Sequence, residues 1–173
     1  MDKLIRSLAL LLFAVALSAC TESRLEGHAV QVGMTAAQVD KLLGAPDARR
    51  SLPDGSVAAY YVNGPSGWTT WRVVLDADSR VKEVRQVLDA AHFRTALVPG
   101  VTTRTQALDA LGPPGLVTSY KSTNDETLIY RWMEITTPMR VDLNFDLKTA
   151  ILKTYNSYWD PCPNSALFCN GTR

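Results

Sequence analysis

Apolar positions in this chain follow two rhythms, and the rhythms alternate. Val39, Leu42 and Leu43 recur at a spacing that places them on one face of a helix, as do Ala107, Leu108 and Leu111. Thr35 and Thr103 stand where a helix start needs a side chain that accepts a hydrogen bond from an early backbone N–H. Gly44 and Gly112 suit the left-handed position just past a helix end, and Pro46 and Pro114 stop the helix from continuing. A further short helix is predicted over 90–98, with Asp89 as its cap. Elsewhere period 2 takes over. Segments 56–62 and 127–133 are rich in aromatic and β-branched residues. Trp71, Val73 and Leu75 alternate with Arg72, Val74 and Asp76, while Met139, Val141, Leu143 and Phe145 alternate with Arg140, Asp142, Asn144 and Asp146. That alternation predicts antiparallel strands with one buried and one wet face. The turns at 76–79 and 146–149 follow, and Val81 and Ile151 open a third strand in each set.

The two sets are copies. Thr35, Gln38, Leu43, Gly44 and Pro46 return 68 positions later as Thr103, Gln106, Leu111, Gly112 and Pro114. Tyr60, Val62, Leu75, Asp76 and Val81 return 70 positions later as Tyr130, Trp132, Phe145, Asp146 and Ile151. Two ordered blocks at nearly one period mark an internal repeat. The predicted fold class is α+β: a tandem repeat of a two-layer unit, with short helices packed on one face of a three-stranded or larger antiparallel sheet. The repeats are expected over 32–88 and 89–160. A unit of about 65 residues is marginal alone, so the two are expected to pack into one body.

The chain start adds a cellular address. Lys3 and Arg6 precede a stretch from 8 to 17 that holds only apolar side chains, followed by Ser18 and Ala19. A basic start, an apolar core and small residues make a secretory signal, and ten residues are too few to span about 30 Å of hydrocarbon. The run Leu17-Ser18-Ala19-Cys20 resembles the bacterial lipobox, which implies removal of 1–19 and lipidation of Cys20, with 20–31 as a tether. Thr21, in place of an aspartate, implies outer-membrane sorting, with the folded part facing the periplasm. Removing Lys3, Arg6 and Asp2 lowers Lys+Arg from 18 to 16 and Asp+Glu from 17 to 16. A near-neutral product argues against nucleic acid or a polybasic lipid-binding surface. The other two cysteines, Cys162 and Cys169, sit in a Pro- and Asn-containing tail at 161–173. An oxidising compartment permits a disulfide between them, clipping that tail.

The motif Gly33-Met34-Thr35-x-x-Gln38-Val39, the Leu42-Leu43-Gly44-x-Pro46 helix end, Tyr60-x-Val62 and a strand ending in Leu75-Asp76 resemble the BamE (SmpA/OmlA) family of outer-membrane lipoproteins. The second copy matches more weakly, with Val101-Thr102-Thr103 in place of Gly-Met-Thr. Two such units in tandem look like the β-lactamase-inhibitor-protein architecture. The resemblance implies a lipid-anchored periplasmic protein that binds other proteins, as an adaptor in outer-membrane protein assembly or envelope integrity. The alternative is an inhibitor-type module that docks its sheet face onto an enzyme.

Catalysis finds little support. His28 and His92 are the only histidines, and no Gly-x-Ser-x-Gly elbow, His-Glu-x-x-His or phosphate-cradling loop is present. The chain is therefore read as a non-enzyme without metal, cofactor or small-molecule substrate, whose partners are envelope proteins and, through Cys20, the membrane. Tyr, Trp and Arg are the types enriched where proteins dock. The alternation that buries Trp71, Val73 and Leu75 turns Arg72 outward, with Trp68 if the register holds through the turn, and that of the second set turns out Arg140. If Tyr60/Val62 and Tyr130/Trp132 face the core, Tyr61 and Arg131 point outward too, and these five are the candidate partner-binding surface spanning both repeats.

Overall fold

The computed structural model describes residues 27–63 and 68–160. Cys20, residues 64–67, Cys162 and Cys169 lie outside the described residues, and with them the lipidation and disulfide expectations. After a 3-10 turn at Gly27–Ala29, the first unit runs α1 (Ala36–Leu43), β1 (Ala48–Ser51), β2 (Val57–Asn63), β3 (Thr69–Leu75) and β4 (Val81–Gln86). The second runs α2 (Ala90–Ala96), α3 (Arg104–Leu111), β5 (Leu116–Tyr120), β6 (Asp125–Glu134), β7 (Thr137–Asp146) and β8 (Leu152–Trp159). Each unit has its own four-stranded antiparallel meander, ordered β1-β2-β3-β4 and β5-β6-β7-β8. The sequence shows three strands per unit. The fourth, β1 and β5, is an edge strand reading Ala-Arg-Arg-Ser and Leu-Val-Thr-Ser-Tyr, with no buried row to imprint period 2.

Both long helices begin as expected. Thr35 and Thr103 each accept from the backbone N–H of Gln38 and Gln106, whose side chains accept in return from the cap backbone, forming two capping boxes. Gly44 and Gly112 close the helices at φ 77° and 80°. The repeat extends to matched backbone hydrogen bonds. Gly33 N donates to Val81 O and Gly100 N to Leu152 O, both at 2.8 Å; Ala36 N donates to Ser79 O at 2.9 Å and Arg104 N to Ala150 O at 2.8 Å. A register shift falls at Val74/Leu75 in one sheet and at Asn144/Phe145 in the other.

These pairs correct the equivalences drawn from sequence. Thr35 and Thr103 are 68 apart, but the strand pairings match Ala59 with Leu128, Val73 with Leu143 and Val81 with Leu152. The separation therefore grows from 68 to 69, 70 and 71, because each link between strands is one residue longer in the second unit. Tyr130 corresponds to Tyr61, not Tyr60, and Leu152 rather than Ile151 corresponds to Val81. A one-residue slip in a strand reverses which side chains face inward, so the error matters for the site.

Each helix layer covers one side of its sheet. Val39 and Leu43 pack with Ala59, Tyr61, Val73, Leu75 and Val81 in the first unit. Phe93, Leu97, Ala107 and Leu111 pack with Leu128, Tyr130, Trp132, Val141, Leu143 and Phe145 in the second. Phe93 meets Trp132 edge-on at 4.9 Å between ring centres, the geometry the ring quadrupoles favour. Gly27 lies flat on Trp71, where an added methyl would fall 2.1 Å from the indole.

Candidate functional site

The outer faces of the two sheets have different fates. Ala58, Tyr60, Thr70 and Val74 point away from α1, yet Tyr60 is fully buried. What covers Tyr60 is the end of α3. Tyr60 Oη donates to Asp109 O at 2.7 Å, Arg72 Nε donates to the same carbonyl at 3.0 Å, and Arg50 forms an ion pair with the Asp109 carboxylate. Gly112 sits directly on the Tyr60 ring. Three side chains from one sheet converging on one helix end lock the units together. The first sheet's outer face is thus an internal seam, not a docking surface.

His92 belongs to this seam. Its Nε2 lies 3.4 Å from Ala110 O, and its Nδ1 is buried without a hydrogen-bond partner. Burial, followed by the nearby Arg85 charge, pushes its pKa below the usual histidine value. The fold favours the neutral ring, so this contribution is complete above about pH 6.5 and is lost as pH falls below it, when the unfolded chain takes up a proton the native state resists. The melting temperature should therefore fall between pH 7.5 and 5.5. His92→Gln should flatten that slope; an unchanged slope in the variant would rule the group out.

The second sheet's outer face carries charged side chains that are only partly exposed, with Ile129 buried among them. Arg131 on β6 lies directly opposite Arg140 on β7, and Arg140 lies opposite Tyr158 on β8. Like charges opposite one another repel, and each guanidinium is held by its own carboxylate. Arg131 Nε donates to Asp160 at 2.7 Å, while Arg140 grips Asp142 with two bonds of 2.6 and 2.8 Å. Tyr158 Oη donates to Asp142 at 2.7 Å, and the Arg140 guanidinium lies 5.6 Å from the Tyr158 ring centre. Burial and this bond to a carboxylate push the Tyr158 hydroxyl up to about pKa 12. The face is locally charged and internally neutral. Its guanidinium groups and the Tyr158 hydroxyl are held in place by Asp160 and Asp142, and the balanced charge leaves little long-range field.

A cavity of about 170 Å³ opens where the units meet, lined among others by Val62 and Thr70 of the first unit and by Pro114, Tyr130 and Arg131 of the second. Its volume equals the liquid share of roughly six waters and falls below the ~300 Å³ at which drug-sized ligands are held. One inserted side chain fits the space. Beyond Arg131, the two-residue β6–β7 turn begins at Ile135, which is 95% exposed with φ 59°. Among the described residues, no group of three or more His, Cys, Asp or Glu gathers for a metal ion.

Of the five residues singled out from sequence, Arg131 and Arg140 lie on this face. Tyr61 points the other way, into the α1 core, 3% exposed, with its hydroxyl donating to Asp40 at 3.1 Å. Arg72 is spent on the seam. Trp68 is half-buried, its Nε1 buried without an acceptor. The five therefore do not form one surface across both repeats. Sequence reasoning missed Tyr158: the register shift at Asn144/Phe145 breaks period 2 between Leu152 and Thr154, so the inward Leu152 falls in phase with the outward Thr154, Asn156 and Tyr158.

No protein-family model matches the chain, and no curated protein matches it. Among solved structures it is similar to a DUF4309-family protein from Bacillus subtilis, at 15% identity over 73% of this chain and 78% of that one, with a TM-score of 0.29. It is also similar to a protein from Streptococcus mutans named as a candidate β-lactamase inhibitor protein, at 15% identity over 77% and 87% of the two chains, with a TM-score of 0.33. The two-unit architecture rests on the matched hydrogen bonds and registers of the chain itself.

Proposed function

We propose that this chain is a lipid-anchored protein of the outer membrane, facing the periplasm, that acts as an adaptor by binding another envelope protein. The observation that carries the binding role is the outer face of the second sheet, where Arg131, Arg140 and Tyr158 stand beside a cavity sized for one side chain. The anchor rests on Leu17-Ser18-Ala19-Cys20, and the BamE likeness on the 33–46 motif and the Leu75-Asp76 strand end. Acyl chains would hold the protein at the bilayer, each buried CH₂ contributing about 0.8 kcal/mol. A near-neutral body suits an adaptor whose contacts are local.

Two measurements test this. Cys20→Ser should abolish incorporation of labelled palmitate and leave an unprocessed precursor; label retained in the variant would remove the anchor from the reading. Capture from detergent-solubilised envelope should be lost on combining Arg140→Ala with Tyr158→Ala. A true hot spot contributes about 2 kcal/mol, or roughly 30-fold in affinity. Tyr158 is 39% exposed and Asp142 is itself half-buried, not fully so, so the melting temperature should move little. Undiminished capture by the double variant would overturn the docking face. A soluble enzyme as the sole prey would support the inhibitor-type module instead.

A further inference from the structure

Among the described residues, four strands form the edges of the two sheets, and three of them carry charge. Strand β1 holds Arg49 and Arg50, β4 holds Lys82, Glu83 and Arg85, and β8 holds Lys153. Charged side chains on an edge strand are the usual guard against pairing with another chain. Strand β5, Leu116-Val117-Thr118-Ser119-Tyr120, has none, and it contains no proline. Among the described residues it pairs with β6 alone. Leu116 and Tyr120 on one face and Val117 on the other are 48%, 55% and 43% exposed, apolar side chains left in water along an unguarded edge. Its counterpart β1 shows the contrast: there Arg50 is committed to Asp109 and Arg49 to Asp40.

We infer that β5 is a self-association edge, and that two copies of this chain pair antiparallel through it about a two-fold axis at Thr118. The charge pattern selects a second copy as the occupant. Antiparallel pairing centred on Thr118 sets Thr118 opposite its own mate, Leu116 opposite Tyr120, Val117 opposite Ser119 and Gly115 opposite Lys121. No charge meets a like charge, and the bulky Lys121 meets a glycine. Both Leu116–Tyr120 pairs fall on the outer face, where apolar and aromatic cross-strand neighbours attract. The same operation on β1 would set Arg49 against Arg50 of the mate, and on β4 Lys82 against Arg85. The two-fold makes the contact isologous and closed, so it stops at a dimer. It also joins two four-stranded sheets into one of eight and places two copies of the Arg131–Arg140–Tyr158 face side by side. None of this depends on the lipid anchor or on the identity of an envelope partner.

The test is cysteine cross-linking of the purified full chain, with the wild-type chain and its native cysteines as background. Opposed residues in an antiparallel pair have Cα atoms about 4.5–5.5 Å apart, within disulfide range. Thr118→Cys should give a disulfide-linked dimer under mild oxidation. Leu116→Cys should cross-link to differently tagged Tyr120→Cys chains and not to itself. Thr118→Lys, which sets two ammonium groups opposite each other, should weaken association at least tenfold in sedimentation equilibrium while its circular dichroism stays native. The inference is overturned by a monomeric wild-type chain, by equal cross-linking at Ser51→Cys on β1, or by a dimer that survives Thr118→Lys.

Discussion

Gly112→Ala should lower stability by about 2–4 kcal/mol, against about 1 kcal/mol for Gly55→Ala. Both glycines have left-handed backbone, at φ 80° and 82°, where a Cβ costs up to about 1 kcal/mol. They differ in what the new methyl meets. At Gly55 nothing lies within 4 Å, whereas at Gly112 the methyl would fall 2.6 Å from Tyr60 Cδ1 and 2.9 Å from Cγ. Tyr60 cannot retreat: it is fully buried and its hydroxyl is tied to Asp109 O. Overpacking a site of this kind costs about 1–3 kcal/mol. Thermal unfolding of the two variants side by side separates the terms, since only Gly112→Ala prises the units apart. Equal losses would mean that α3 does not sit on the first sheet as described.

Leu111→Ala should be comparably severe. Leu111 is fully buried and Leu43, its repeat partner, is 2% exposed. Each is the last helical residue before the capping glycine and reaches into its own unit's core. Truncating a buried leucine costs about 2–5 kcal/mol, the spread reflecting how far the cavity collapses. Leu111 lies one residue from Gly112 and the seam, so its neighbours are fixed from both sides and little collapse is open to them. Leu43→Ala is expected toward the lower half of the range, because the first unit presents only α1 and a 3-10 turn on that side of its sheet. Chemical denaturation of the two variants provides the comparison. A near-zero loss at either position would remove it from the core.

The candidate site was only partly legible before the fold was known. Arg131 and Arg140 lie outward as expected, because β7 alternates strictly and Tyr130, Trp132, Val141 and Leu143 fill the inward positions, although Leu128-Ile129-Tyr130 in β6 is apolar throughout. In β2, Ala58-Ala59-Tyr60-Tyr61 is apolar at four successive positions, because both of its faces are buried, one by α1 and one by α3. Alternation cannot choose a phase in such a run. The repeat alignment then supplied the wrong phase, since it joined Tyr60 to Tyr130 across a hairpin that differs by one residue. Asp109, the hub of the seam, carried no signal at all. Two of its three bonds use its backbone carbonyl, which every residue possesses.

Local chemistry determined the parts of this protein that depend on neighbours in the chain. Thr35 and Thr103 with Gln38 and Gln106 set the helix starts, Gly44 and Gly112 set the helix ends, and the alternating rows in β3 and β7 set strands and an α+β repeat. These are interactions over three or four residues, or along a single strand, so their pattern survives in one dimension. Tertiary structure alone decided that the first sheet's outer face is covered. That outcome depends on α3 of one unit meeting the sheet of the other, through Tyr60, Arg72 and Arg50 at 49, 37 and 59 residues from Asp109. Contacts at such separations leave no period behind them. They turned the first sheet's outer face inward against α3 and left Arg131, Arg140 and Tyr158 partly exposed on the second.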